Sequence, residues 1–170
     1  MTPQEKFNIR LKNEYEKVKL MGKSDLMTIA PALGQVEPYV RSYVICYNIP
    51  TFVNNGNSMQ QSTTVRVDIP DSFPIGSPTA VVTSGNVPFH VNWWSDGRLC
   101  NGNFWNPDRY IWEYMVFIGE VMMFKPERVN VKSPANREAI PFYQNNSRRF
   151  PTMNRPLPYP RERKKLTILG

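Results

Sequence analysis

Phe7, Leu11, Tyr15 and Val18 recur every three or four positions, with charged residues filling the gaps between them. That period puts one apolar stripe along a helix and predicts α-helix over residues 3–21. Thr2-Pro3 suits a cap followed by a first helical position. Further along, β-branched and aromatic residues dominate 36–50, 61–69 and 79–84, each run bounded by Pro, Gly or Asn, and three strands are expected there. An earlier strand near 27–33 is interrupted by Pro31 and Gly34. Asn54-Asn55-Gly56-Asn57-Ser58 reads as a turn or mobile loop between the first two of the three runs. Together these segments make an antiparallel meander packed on helices.

The helical period returns with Ile111, Met115, Ile118 and Met122, a core stripe in which the methionines serve as packing. Asn106-Pro107 is expected to open this helix and Pro126 to end it. A third helix is expected from near Pro134 to about Asn145, with Pro141 as a kink or early stop.

A length of 170 residues suits one domain with one core. The polar start and the absence of a long apolar run predict neither leader nor membrane span, which points to the cytoplasm. The formal net charge of +7 invites a nucleic-acid reading, but residues 147–170 hold seven Lys or Arg and one Glu, hence nearly all of it. Residues 1–146 are close to neutral and are expected to form the domain. Residues 147–170 form a basic, Pro-rich tail, read as an arm that packs along the domain or docks on an acidic partner, with a solvated tail as the alternative. Two cysteines argue against a disulfide framework. Cys46, inside Tyr43-Val44-Ile45-Cys46-Tyr47, reads as a buried inert thiol.

Cys100 is different. It follows His90-Val91-Asn92 by eight residues, in His90-Val91-Asn92-Trp93-Trp94-Ser95-Asp96-Gly97-Arg98-Leu99-Cys100. A thiol beside an amide that can donate to a developing oxyanion is what acyl transfer needs. His90 is the only histidine and raises the question of a Cys-His hydrolase. Cys100-Asn101-Gly102-Asn103 does not read as the helix start that a papain-like cysteine occupies.

His90-x-Asn92 with Cys100 resembles the active-site loop of the ubiquitin-conjugating (UBC) family, whose motif is His-Pro-Asn at this distance from the cysteine. The flanks agree. Val65-Arg66-Val67-Asp68-Ile69-Pro70-Asp71-Ser72-Phe73-Pro74-Ile75-Gly76-Ser77-Pro78 resembles the family's strand and Phe-Pro turn. Trp105-Asn106-Pro107 resembles its Trp-x-Pro, Ser133-Pro134-Ala135-Asn136-Arg137-Glu138-Ala139 with Tyr143 its third helix, and Arg10-Leu11-x-x-Glu14-Tyr15 its first. The resemblance spans roughly residues 3–146.

The resemblance implies an α+β, UBC-like fold: an N-terminal helix, an antiparallel meander of about four strands, then helices on the sheet. It implies that Cys100 carries a ubiquitin-like modifier as a thioester and passes it to an acceptor amine or thiol. Asn92 then serves the oxyanion or holds the loop. Ser133 gates the acceptor, with a plain helix N-cap as the other reading. His90 supports the loop. Trp94 walls the cleft or simply packs, and Trp105 supports it. Lys6, Arg10, Lys12 and Lys17 are candidates for docking an activating enzyme, or else a solvated face. Neither a cofactor nor a metal is implied. The partners implied are a ubiquitin-like modifier protein, an activating enzyme and an acceptor protein.

Three departures narrow the type. Val91 stands where the family has proline, the gap from Cys100 to Trp105 is short, and the loops that bind ligases differ in sequence. The pattern is closer to divergent bacterial members found in anti-phage defence operons, of the CBASS or Bil kind, than to a eukaryotic ubiquitin enzyme with standard ligases. The alternative is a non-catalytic UBC-like module that binds a ubiquitin-like partner. The final Gly170 raises the further idea of an activatable C-terminus.

Overall fold

A computed structural model describes residues 1–162; Gly170 and the end of the basic tail lie outside the described residues. Helix α1 spans Pro3–Lys19 and starts in a capping box. Thr2 Oγ1 accepts the Glu5 amide hydrogen while Glu5 Oε2 accepts that of Thr2. Four strands follow as an antiparallel sheet: β1 Met27–Pro31, β2 Ser42–Tyr47, β5 Thr63–Asp68 and β6 Thr79–Ser84, in the order β1-β2-β5-β6. Pro31 is tolerated because it ends an edge strand. Between β2 and β5 the chain inserts a two-stranded hairpin, β3 Thr51–Val53 and β4 Ser58–Gln60. The segment expected to be a turn or mobile loop is the tip of this hairpin. Asn54 and Asn55 take left-handed backbone angles there, which asparagine tolerates better than most residues.

Tyr43, Ile45 and Tyr47 of β2 and Val65 and Val67 of β5 face a core shared with α2, Ile111–Met122. The stripe Ile111, Met115, Ile118 and Met122 is fully buried, and Tyr47 Oη donates to the Met115 carbonyl at 2.7 Å. Alternation along β2 turns Cys46 to the opposite face, where it is half-buried, so the expectation of a buried thiol is corrected.

Helix α2 begins later than Asn106-Pro107 suggested, because residues 106–109 form a separate turn held by the Asn106 side chain and carbonyl. Its first amide, Ile111 N–H, is capped instead by Glu14 from α1, at 2.7 Å from Oε2. Glu14 is fully buried and bridged to Arg10 Nε at 2.6 Å. Desolvation raises its pKa, and these two partners oppose the rise. Helix α3 is short, Ala139–Asn145, and starts five residues after the expected Pro134. Residues 134–138 are instead drawn to the His90–Asn92 loop, since Ala135 and Asn136 both donate to the Val91 carbonyl. Pro141 is the third residue of α3, where a missing amide hydrogen breaks no helical bond.

The described part of the Pro-rich arm lies along the domain. Phe150 stacks on Phe124 at 4.3 Å within an aromatic cluster that includes Phe52 and Tyr143. Thr152 donates its amide hydrogen to the Met123 carbonyl. Leu157 covers Gly119 of α2, where a Cβ would meet its Cδ1 at 2.6 Å. Arg155 forms a two-pronged pair with Asp25, and Arg161 N–H reaches the Leu20 carbonyl at the end of α1.

Candidate active site

The stretch from Asn92 to Cys100 is itself a hairpin. Trp94 N–H donates to the Arg98 carbonyl, Gly97 N–H to the Trp94 carbonyl, and Cys100 N–H to the Asn92 carbonyl at 2.8 Å. Gly97 has φ +90°, a turn conformation that favours glycine. The returning arm pairs with the free edge of the main sheet: Gly97 O accepts from Val82 and Leu99 N–H donates to Ala80 O. Cys100 therefore leaves the sheet edge from a rigid base.

Cys100 is half-buried and opens onto a cleft of about 660 Å³ that it shares with Ile75, Trp105, Asn130, Lys132 and Ser133. Among the described residues no carboxylate lines this cleft, and Lys132 is its one charged residue. Beneath Cys100, Asn101 donates to Ser77 Oγ at 2.6 Å and to the Pro78 carbonyl at 2.8 Å, while its Oδ1 accepts from Tyr114 Oη at 2.6 Å. Burial holds the Tyr114 hydroxyl far above its ordinary range, so it remains a donor. Trp105 closes one side, donating Nε1–H to the Pro74 carbonyl and packing on Phe73 at 5.4 Å.

His90 and Asn92 lie behind this surface. His90 is fully buried against Phe124, and its Nδ1 accepts the Asn92 amide hydrogen at 2.9 Å. Burial pushes the imidazole down to about 3, with only the Val121 carbonyl opposing, so it is neutral. A buried ring whose accepting nitrogen is engaged cannot serve Cys100 as a base, which removes the Cys-His hydrolase. Val91, in the proline slot, is fully buried, and its carbonyl takes the two hydrogen bonds from Ala135 and Asn136. Asn92 is 3% exposed; its Nδ2 donates to the Arg128 carbonyl at 2.6 Å and its Oδ1 accepts from Asn130 N–H at 3.0 Å.

The other sequence-chosen residues divide. Ser133 reaches the Cys100 cleft, exposed, with its amide on Asn130 Oδ1 at 3.1 Å. It is not a helix N-cap, because α3 starts six residues later. Trp94 does not wall this cleft. Hairpin alternation turns Trp93 into the core and Trp94 outward, where it meets the Arg98 guanidinium at 5.1 Å and borders a different cleft. On α1, Lys6 and Lys12 are exposed and Lys17 is half-buried over the Tyr110 ring. Arg10 is turned inward: besides Glu14 it bonds the Arg109 and Pro107 carbonyls. Sequence reasoning gave no role to Asn101 or Glu14 and did not single out Asn130. Asn130 had one signal, its position three residues before Ser133, a spacing at which an asparagine oxygen can hold a backbone amide. Among the described residues, no three His, Cys, Asp or Glu side chains cluster as metal ligands, and no helix is long and apolar enough to cross a membrane.

An N-terminal helix, a four-stranded antiparallel meander and following helices define the UBC-like α+β fold. The chain is similar to S. cerevisiae Ubc12, with a TM-score of 0.60 and 16% identity over 89% of this chain and 83% of that one. It is also similar to human ubiquitin-conjugating enzyme E2 G1, with a TM-score of 0.53 and 11% identity over 74% of this chain and 99% of that one. No family model and no curated protein sequence matches the chain.

Proposed function

We propose that this protein is a conjugating enzyme for a ubiquitin-like modifier, with Cys100 as the acyl carrier. The observation that carries this reading is the position of Cys100. It is a half-exposed thiol at an open cleft of a UBC-like fold, anchored by backbone pairing to the His90-x-Asn92 loop. In the first step the thiolate of Cys100 attacks the C-terminal glycyl thioester of the modifier on an activating enzyme, and that enzyme's thiol leaves. In the second, an acceptor amine or thiol attacks the new thioester and Cys100 leaves as thiolate. Thioesters are reactive enough that positioning, desolvation and oxyanion stabilisation suffice without a strong base.

Asn92 braces the cleft wall that faces Cys100, Ser133 lies where an incoming acceptor passes, and Lys6, Lys12 and Lys17 offer a cationic face to the activating enzyme. The departures at Val91 and in the short Cys100–Trp105 loop favour a cytoplasmic bacterial enzyme serving an anti-phage conjugation system. The reading is tested by the intact mass of the protein isolated from its native host without reductant. A protein-sized adduct that disappears on adding a thiol, and that Cys100→Ala never carries, supports it. A partner retained equally by Cys100→Ala, with no covalent adduct on either form, supports a UBC-like binding module instead.

A further inference from the structure

We infer that Asn130, rather than the motif asparagine Asn92, supplies the side-chain donor to the oxyanion formed at Cys100, an inference that rests on the acyl-carrier reading above. Four asparagines surround the cysteine, and their bonding separates them. Asn101 is engaged at both ends, by Tyr114 on one side and Ser77 and Pro78 on the other. Asn92 is buried, gives its Nδ2 to the Arg128 carbonyl, and borders a neighbouring cleft rather than the one that holds Cys100. Asn103 is exposed and has no bond to orient it among the described residues.

Asn130 is the one that is both oriented and free. It borders the Cys100 cleft. Its main-chain amide is fixed on Asn92 Oδ1 at 3.0 Å, and its own Oδ1 accepts from Ser133 N–H at 3.1 Å. Because the Ser133 amide needs an acceptor, the oxygen of Asn130 must face it, which turns the NH₂ the other way. That Nδ2 has no acceptor among the described residues and lies 3.5 Å from where a Cβ on Gly102, two residues past Cys100, would stand. Asn92 ties the two sides together: its carbonyl holds Cys100 N–H at 2.8 Å and its side chain holds Asn130.

The donor acts in the second transfer. The acceptor nitrogen attacks the thioester carbonyl carbon, a C–N bond forms, and the carbonyl π pair moves onto oxygen. Collapse of that intermediate breaks the C–S bond, Cys100 departs as thiolate, and the proton lost by the amine returns the thiol. The carbonyl oxygen is neutral before attack and anionic after it, so an amide donor that reaches it from the cleft wall favours the transition state over the ground state.

The test uses a short peptide ending in Gly-Gly, supplied as its mercaptoethanesulfonate thioester, to acylate Cys100 by thiol exchange. Free lysine is then added and the loss of the acyl group is followed by intact mass. Asn130→Ala and Asn130→Asp are compared with the native chain; the aspartate keeps an oxygen for Ser133 and so preserves the loop. Discharge is expected to slow about 100-fold in both variants. Alkylation of Cys100 by iodoacetamide, a displacement that forms no oxyanion, is expected to stay within about twofold. Variants that discharge like the native chain, or that lose both reactions equally, overturn the role of Asn130 while leaving the acyl carrier intact. A native chain that never takes up the acyl group overturns both.

Discussion

The main-chain carbonyl of Asn92 accepts the amide hydrogen of Cys100 at 2.8 Å, across a turn built by Trp94 to Gly97. The eight-residue spacing of the motif is thus a hairpin spacing, fixed by backbone pairing rather than by contact between the two side chains. The Asn92 side chain faces the other way, gripping Arg128 and Asn130. One residue joins the nucleophile's strand to the loop that forms the opposite wall of the cleft.

Replacing Asn92 should therefore cost stability as well as turnover. Asn92→Ala leaves the Arg128 carbonyl and the Asn130 amide without their buried partner, a loss of about 1–3 kcal/mol in urea unfolding. Asn92→Asp keeps an acceptor for Asn130 but sets a buried carboxylate oxygen against the Arg128 carbonyl, so it is expected to destabilise at least as much as alanine.

His90 gives the fold an acid-sensitive point. Its folded pKa of about 3 lies below the ordinary value of 6.5 because the ring is desolvated. The unfolded chain binds this proton first as the solution is acidified, so the contribution is complete above pH 6.5 and is lost as pH falls toward 3. The slope approaches about 1.4 kcal/mol per pH unit. Glu14, whose pKa is raised, runs the opposite way, losing stability as pH rises above 4.5. Urea unfolding across this range should show the His90 slope vanish in His90→Asn, which retains an acceptor for the Asn92 amide and cannot charge.

The arm is expected to behave as part of the domain. Phe150 is packed among Phe52, Phe124 and Tyr143, and because it is half-buried rather than fully buried, Phe150→Ala should destabilise by about 2 kcal/mol. Denaturant unfolding of this variant, followed by near-UV circular dichroism, should show a lower midpoint and loss of the aromatic signal from this cluster.

Periodicity carried the reading wherever burial is one-sided. The stripes on α1 and α2 and the alternation in β5 mark their core faces directly, so element type and order follow from sequence. Boundaries failed where a distant residue decides them. Nothing near Ile111 announces that Glu14, on another helix, caps α2, and nothing near Pro134 announces that the Val91 carbonyl draws its neighbours out of a helix. The same holds at the site. Cys100, Asn92 and His90 are legible because their spacing is local to one hairpin. Asn130 and Asn101 matter through long-range pairing, and Trp94 misled because a turn, not the motif, sets which of two adjacent tryptophans faces the core.

The most direct test of the account is mass spectrometry of Cys100→Ser expressed in the native host together with its activating partner, since an ester on serine survives reducing conditions that cleave a thioester. A ubiquitin-like protein joined through its C-terminal glycine to the introduced hydroxyl is expected, and its mass identifies the modifier. An introduced serine that stays unmodified under those conditions, with the native protein likewise free of any thiol-sensitive adduct, would rule out Cys100 as an acyl carrier.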